Sequence, residues 1–597
     1  MGLLDWLEAP DESHGIRLAL PGGGWRFHSY AGLATDVRRL AAFLRDRRVP
    51  AGTPVSLMLS NPLDFAAGFA GCLLAGLTPS PIATPLTFGG RAQYAEHVAG
   101  VLRVARPSLV LADGELYDVA AEAAQAAGFE DALVRLPEPA DLPEPDDAPA
   151  PASASGPASL GASGPARLGG SRPDLALLQF TSGSSGRPKG VRVTWDNLDE
   201  NITALRAWSR WGPGDSFASW LPLYHDMGLI GGLLTPLVSQ ADLWLMTPDQ
   251  FIRSPLRWLE CFGSLGATMT TAPTFGYAYT HRRVREQDIA EMDFSGWRVA
   301  ICGAERVDAG ELAEFTALLR PRGFRSEALM PAYGLAEGTL GVTGVEPDVS
   351  SPVVRLGERA LTPGEPVRVA ETATLGVDRV KGAGWLTACG PEMRGVRVRI
   401  VDEEGVPVPE GSFGEIQIGG SSVAPGYATV DGTIDFDQDG WSTGDSGFRL
   451  DGHLYVVGRI GDSLKVRGRR VHAEDLEAEL ARVDGISAGR CAVVFGSHHA
   501  VDVAAAVVES SGEGWLEDTV ARLRAATSDS VAIAVFKGRR GTIPRTSSGK
   551  TRRRFLWNAL RTGRSGAEPV YVAADAEGRA DLPWQLTVSE PQEETAS

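Results

Sequence analysis

Apolar and polar positions in the first 136 residues follow two alternating rhythms. The stretch YAGLATDVRRLAAFLRDRR (30–48) places apolar residues three and four apart, which predicts an amphipathic helix. VSLMLS (55–60) and SLVLA (108–112) are short unbroken apolar runs and predict buried strands. Strands alternating with helices imply a parallel α/β sheet. The alternation resumes at 175 and continues to about 345. A β-rich region follows, in which VRVRIVD (396–402) and FGEIQIGG (413–420) alternate in strand fashion. HLYVVGRIGDSLKVRG (453–468) predicts two strands paired through a tight turn. AEDLEAELARV (473–483) returns to helical spacing and opens a small α+β unit.

Length and composition set the boundaries of this picture. A chain of 597 residues is too long for one ordinary domain. Residues 137–172 are rich in Pro, Ala, Ser and Gly, the composition of a flexible linker. The last stretch, 576–597, is polar and acidic and reads as a disordered tail. No run approaches the ~18 apolar residues of a membrane span. The N-terminus lacks the basic and apolar regions of a signal peptide. The five cysteines are scattered without a CxxC pair, which argues against a disulfide framework or zinc site and fits a reducing cytoplasm. A net charge of −18 argues against nucleic acid as a partner.

Arginine dominates the basic residues, and the only lysines are Lys189, Lys381, Lys465, Lys537 and Lys550. A lysine kept in such a chain suggests a need for a compact ammonium rather than a planar guanidinium. Lys189 ends a run in which the strand LALLQF (175–180) leads into Thr181, Ser182, Gly183, Ser184, Ser185, Gly186, Arg187 and Pro188. Glycines let backbone N–H groups turn toward an anion, hydroxyls add donors, and the lysine adds charge. The GK[ST] ending of a Walker loop is missing from this run. PRTSSGKT (544–551) is a near-miss Walker motif with proline where the first glycine belongs. Read alone, the 181–189 run is also compatible with an ordinary turn, Tyr333 with a core aromatic, Asp445 with a turn cap and His225 with a structural histidine.

Taken jointly, several motifs resemble the adenylate-forming superfamily of acyl-CoA synthetases, adenylation domains and luciferases. They are TSGSSGRPKG (181–190), LPLYHDMGLIGGLLTPL (221–237), YGLAEGTLGVT (333–343), GWSTGDSGFRLDGHLYVVGRIGDSLKVRGRRV (440–471) and PRTSSGKTRRR (544–554). The second, third and fifth are similar to the forms found in fatty acyl-AMP ligases.

The resemblance implies a large α/β domain over 1–458, with two sheets, flanking helices and a distorted β-barrel region. It further implies a hinge at 459–462, a small mobile α+β domain over 463–575 and a family-type insertion at 350–386. It places ATP and Mg²⁺ as cofactors, with Thr181 and Glu337 as metal partners. Thr181 to Lys189 would hold the β- and γ-phosphates. Tyr333, flanked by Ala332, Gly334 and Leu335, would stack on adenine opposite Gly303, Ala304 and Glu305. Asp445 would bind the ribose, with Arg459 close to ribose and phosphate.

Lys550 would bridge the carboxylate and the α-phosphate, and His225 would line the acyl site. The acyl pocket is expected to draw on the 220s, on 271–277 and on residues near Gly303 and Tyr333. The implied reaction joins a fatty acid to AMP and passes the acyl group to the phosphopantetheine thiol of an acyl carrier protein. Such a step would start lipopeptide or polyketide assembly, and the enzyme would work as a monomer. Coenzyme A as acceptor, and an unrelated nucleotide-hydrolysing protein, are the alternatives. One departure stands out, because Gly461 occupies a hinge position where the family usually carries a charged residue.

Overall fold

Apolar runs too short for helices become the strands of a central sheet, in a computed structural model. It describes residues 2–85, 90–145, 173–181, 188–357, 361, 363–380, 384–402, 404–437, 440–459, 462–466, 469–487, 489–498, 501–512, 514–527, 531–545, 551–573 and 584. Residues 146–172 of the expected linker, 460 and 461 of the expected hinge, and the tail other than Trp584 lie outside the described residues.

The central sheet has eight strands in the spatial order Gly341–Gly344, Leu329–Gly334, Val299–Cys302, Met269–Ala272, Phe217–Ser219, Leu243–Leu245, Gly15–Ala19 and Trp25–Ser29. Its inner pairs are parallel and its two edge pairs antiparallel. A second sheet is wholly parallel and runs Thr78–Pro81, Pro54–Met58, Leu109–Ala112, Leu133–Arg135. Burial of both faces explains why Leu109–Ala112, at the centre of this sheet, lacks a polar side in the sequence.

The helix expected over 30–48 is observed as Tyr30–Asp46, with Ser29 capping its N-terminus. Its apolar stripe, Leu33, Val37, Leu40 and Leu44, is buried against the helix Pro62–Leu74. Among the described residues no helix is long and apolar enough to cross a membrane.

The β-rich region forms a four-stranded antiparallel sheet ordered Val396–Val401, Gly414–Gly420, Trp441–Leu450, His453–Arg459. A three-stranded antiparallel sheet, Val369–Thr374, Pro352–Leu356 and Trp385–Thr387, packs against it through Val354, Leu386, Phe448 and Tyr455. The stretch 350–386 therefore contributes strands of its own. The expected pairing within 453–468 is overturned. His453–Arg459 pairs backward with Trp441–Leu450, whereas Ser463–Val466 pairs forward with Arg469–His472. Alternation marks a strand but not its partner, and each half found a nearer antiparallel neighbour.

The C-terminal part is a four-stranded sheet, Cys491–His498, Val501–Glu509, Ala532–Gly538 and Glu568–Ala573, with helices Ala473–Leu480, Leu516–Ala526 and Arg553–Arg561. An ion pair from Arg306 to Asp475 joins it to the large region, and the Arg306 guanidinium also donates to the Trp385 carbonyl at 3.1 Å.

One helix organises the junction between sheets. Trp195–Trp208 starts directly after the strand Lys189–Thr194, and Thr194 and Asn197 form its capping box. Asn197 and Asn201 stand four residues apart and so share a face. Asn197 Nδ2 donates to the carbonyls of Ser421 and Val423 at 2.7 and 3.1 Å. Asn201, fully buried, donates to the carbonyls of Gly338 and Gly341 at 3.3 and 3.0 Å and accepts from Gly341 N–H at 3.2 Å. Asn201→Ala leaves these backbone groups without partners, and the expected loss of stability is about 3 kcal/mol by denaturant unfolding. A loss near zero would show that the loop has other support.

Candidate active site

The expected phosphate run joins two antiparallel strands. Leu175–Thr181 and Lys189–Thr194 are antiparallel, with Thr181 directly opposite Lys189. Ser182, Gly183, Ser184, Ser185 and Gly186 lie outside the described residues, but their anchors are fixed by this register. A Cβ at Gly190 would lie 2.7 Å from the end of the Leu178 side chain, so a larger residue there would push that leucine aside.

Lys189 meets a residue that no sequence motif pointed to. Its Nζ lies 4.9 Å from the ring centroid of Tyr427, a cation–π contact. The hydroxyl of Tyr427 donates to Glu337 Oε1. Tyr427 reaches this place because its strand, Gly426–Thr429, pairs with Lys189–Thr194, opposite Val191. Glu337 sits on a 3-10 turn, Ala336–Gly338, closed by Thr339 in the left-handed region at φ 68°. The turn is tied down on several sides. Ala424 N–H donates to the Glu337 carbonyl at 2.8 Å, Thr339 Oγ1 donates to the Ser422 carbonyl at 2.6 Å, and Asn201 holds the residues beyond.

Glu337 is 8% exposed, and burial pushes its carboxyl above the usual range, opposed by the Tyr427 hydrogen bond. Among the described residues it has no ion-pair partner. A buried carboxylate without a cation is costly. The described residues contain no group of three or more His, Cys, Asp or Glu side chains able to hold a metal. The donor set therefore suits a hard divalent cation that arrives with phosphate oxygens, not one held in a protein cage.

A second cluster lies on the four-stranded antiparallel sheet. Asp445 and Arg459 are directly opposed on neighbouring antiparallel strands. Arg459 Nε donates to Asp445 Oδ1 at 3.0 Å, and the Tyr333 hydroxyl donates to Oδ2 at 2.7 Å. The Asp445 carboxylate raises the pKa of Arg459, while burial and then Asp445 raise that of Tyr333. Asp445 is itself set by its backbone N–H donating to Thr443 Oγ1 at 3.0 Å. A carboxylate offers about four acceptor positions, so it can hold both partners and still accept two hydroxyl groups. Tyr333 packs its ring among Leu335, Val342 and Ile418 and ends the last parallel strand of the central sheet.

Gly303, Ala304 and Glu305 follow the adjacent strand and pass beside Ala332, whose carbonyl would lie 2.9 Å from a Cβ at Gly303. Ala304 has φ 64°, a conformation unusual for a residue with a side chain. Glu305 Oε1 accepts from Phe275 N–H at 2.7 Å. Gly334 and Leu335 continue the strand into the Glu337 turn, and a Cβ at Gly334 would meet the Leu340 carbonyl at 2.0 Å.

His225 and Thr181 share the lining of one cavity with His97, Tyr224, Pro188 and Phe180. Burial, with the charge of Arg552 adding to it, lowers the His97 pKa to about 4. Arg552, two residues past Lys550, is thus near this cavity, while Lys550 itself lies outside the described residues. His225 precedes a π-helical turn, Met227–Leu234, whose Gly228 and Gly232 pack against Pro222 and Ser219. Tyr277, expected at the acyl pocket, is instead a core aromatic. It is fully buried between Trp258 and Phe315, with its hydroxyl on the Ile301 carbonyl at 2.8 Å.

Tyr427→Phe keeps the ring under Lys189 and removes the donor to Glu337. We expect a loss of about 1.5–3 kcal/mol in folding stability, the range for a hydrogen bond to a charged group. Unchanged denaturant unfolding would show that the carboxylate is satisfied without Tyr427.

Comparison with known proteins agrees with this geometry. The family model described as AMP-binding enzyme matches residues 7–428. A Caulobacter vibrioides protein, provisionally named an acyl-CoA synthetase, is 32% identical over 559 residues, covering 90% of this chain and 91% of that one. The medium-chain-fatty-acid–[acyl-carrier-protein] ligase TtuA of Teredinibacter turnerae is 32% identical over 413 residues, covering 65% of this chain and 63% of its own. A solved structure from work on fatty acyl-adenylate ligases of E. coli and L. pneumophila superposes with a TM-score of 0.79 at 28% identity, covering 94% of this chain and 98% of that chain. The chain belongs to the AMP-binding enzyme family, the adenylate-forming ligases that include the fatty acyl-AMP ligases.

Proposed function

We propose that this chain activates a fatty acid with ATP to acyl-AMP and pyrophosphate, then transfers the acyl group to the phosphopantetheine thiol of an acyl carrier protein. The observation that carries the first step is the buried, unpaired carboxylate of Glu337 beside Lys189 and the Thr181–Lys189 hairpin. The physical problem is charge. A carboxylate must attack the α-phosphorus of a polyanion, and preorganised positive groups lower that barrier.

In this reading the hairpin and Lys189 hold the β- and γ-phosphates. Asp445 accepts the ribose hydroxyls while Tyr333 and Arg459 keep it oriented. The ring of Tyr333 and the turn Gly303–Glu305 flank adenine. Glu337, with the Thr181 hydroxyl, would hold Mg²⁺, which when bound neutralises the pyrophosphate leaving group. Lys550 spans the substrate carboxylate and the α-phosphate. A new O–P bond forms as the α–β anhydride breaks. His225 lines the path of the acyl group. Rotation of the C-terminal region about 459–462 then withdraws Lys550, and the acceptor thiol displaces AMP from the acyl carbonyl. The carrier protein is favoured as acceptor by the motif forms at 221–237, 333–343 and 544–554 and by the TtuA likeness.

Lys550→Ala is expected to abolish fatty-acid-dependent exchange between ATP and pyrophosphate while sparing transfer from synthetic acyl-AMP to the thiol. Equal loss of both half-reactions would remove the role given to Lys550, and ADP as the sole nucleotide product would defeat the ligase reading. Offered coenzyme A and a phosphopantetheinylated carrier protein together, the enzyme should acylate the carrier. Rapid acyl-CoA formation would reassign the acceptor.

A further inference from the structure

Arg306 directly follows the turn Gly303–Glu305, which in the reading above flanks adenine. The stretch that carries it is held at three successive residues. Glu305 Oε1 accepts from Phe275 N–H at 2.7 Å, the Arg306 carbonyl accepts from Thr274 Oγ1 at 3.3 Å, and the Val307 carbonyl accepts from Thr387 Oγ1 at 3.0 Å. The guanidinium therefore extends from a fixed base. Its Nη2 donates to the Trp385 carbonyl at 3.1 Å, within the large region, while its Nη1 binds the Asp475 carboxylate of the C-terminal region. The nearby acid on its own segment, Asp308, is engaged elsewhere, accepting from the N–H groups of Gly310 and Glu311 at 2.8 and 3.1 Å. The Arg306 and Asp475 side chains are 22% and 35% exposed, so water weakens their attraction only in part.

Asp475 stands in the first turn of the helix Ala473–Leu480. Glu477, two residues on, points to the opposite side of that helix. It accepts from Val493 N–H at 2.8 Å and binds Arg553 at 2.8 Å. Arg553 also reaches Asp462, the last residue of the expected hinge, at 2.8 Å. Lys550 is three positions before Arg553. A line of ionic contacts thus runs from the turn at the nucleotide site, through Arg306, Asp475 and Glu477, to the segment that carries Lys550. In this same arrangement Arg552 lies beside His97, at the cavity lined by Thr181 and His225.

We infer that Arg306 and Asp475 form a latch specific to the adenylating pose, which makes Arg306 a positioning residue for Lys550; the inference rests on the two-pose reading above. The two side chains lie on opposite sides of the hinge at 459–462, so a large rotation there separates them. An ion pair made in one pose and absent from the other shifts the population toward the first by its own interaction energy. Neither residue has to touch the substrate. An ion pair that only supported the fold would act on both half-reactions alike, whereas a latch acts on the one that needs Lys550.

The test uses the full chain with Asp475→Asn, with Arg306→Gln, with both together, and with the charge swap Arg306→Asp plus Asp475→Arg. Fatty-acid-dependent ATP–pyrophosphate exchange should fall about five-fold in maximal rate in each single variant. The KM for ATP and the Tm of Asp475→Asn should be unchanged. The double variant should be no slower than the singles, since both remove one interaction. The swap should recover part of the exchange, with the Trp385 hydrogen bond still lost. Transfer from synthetic acyl-AMP to free phosphopantetheine should not fall in any of them. Equal loss of both half-reactions, or additive losses in the double variant, overturns the latch. Loss of transfer alone also overturns it, by assigning the contact to the other pose. A wild-type chain without exchange overturns the adenylation reading itself. Exchange by wild type that survives intact in both single variants overturns the latch alone.

Discussion

The carboxylate of Asp445 takes hydrogen bonds from two directions: Tyr333 on the central parallel sheet and Arg459 on the last strand before the C-terminal region. It is 8% exposed, as is Tyr333, so the bond between them is shielded from bulk water, whereas the Arg459 side chain is 47% exposed. The three side chains come from separate parts of the chain, and their meeting fixes the barrel sheet against the end of the central sheet. Everything proposed for the nucleotide depends on that registration. If the barrel shifted by one residue, every side chain on the strand carrying Asp445 would change faces, and the carboxylate would leave the site.

A parallel arrangement holds the Glu337 side of the candidate site. Glu337 is kept buried by a network of backbone contacts to the loop 421–424 and by two asparagines of one helix. That helix begins where the phosphate hairpin ends, so the hairpin, the carboxylate turn and the Tyr427 strand share a single support. Such sharing is economical for catalysis, because groups that must act on one ligand gain from being fixed relative to one another before it arrives. It also explains a buried acid that has a hydroxyl donor but, among the described residues, no cation partner. Tyr427 stabilises the carboxylate without cancelling the charge a divalent ion needs.

The C-terminal region has a different character. Its ion pairs are internal, as at Arg553, or single, as between Arg306 and Asp475. Ion pairs of this kind can break and reform in water at little net cost, which suits the rotation proposed above.

The residues 30–48 helix, the 55–60 and 108–112 strands and the alternating strands at 396–420 could be read from the sequence, because burial imposes a period that neighbouring residues record. The 181–189, 333–337 and 442–445 runs could also be singled out in the sequence as candidates, by their glycines, hydroxyls and acids at close spacing. What only the tertiary structure decided is who meets whom. The sequence order suggested that 453–459 pairs with 463–466, yet each strand took another partner. Tyr427 lies 90 residues from Glu337, and Asn201 lies 137 from Gly338. Tyr277 was placed at a pocket and proved to fill a core. Hydrophobic period is a local property of the chain, whereas a hydrogen bond across sheets depends on strand register and layer packing, which no single segment encodes.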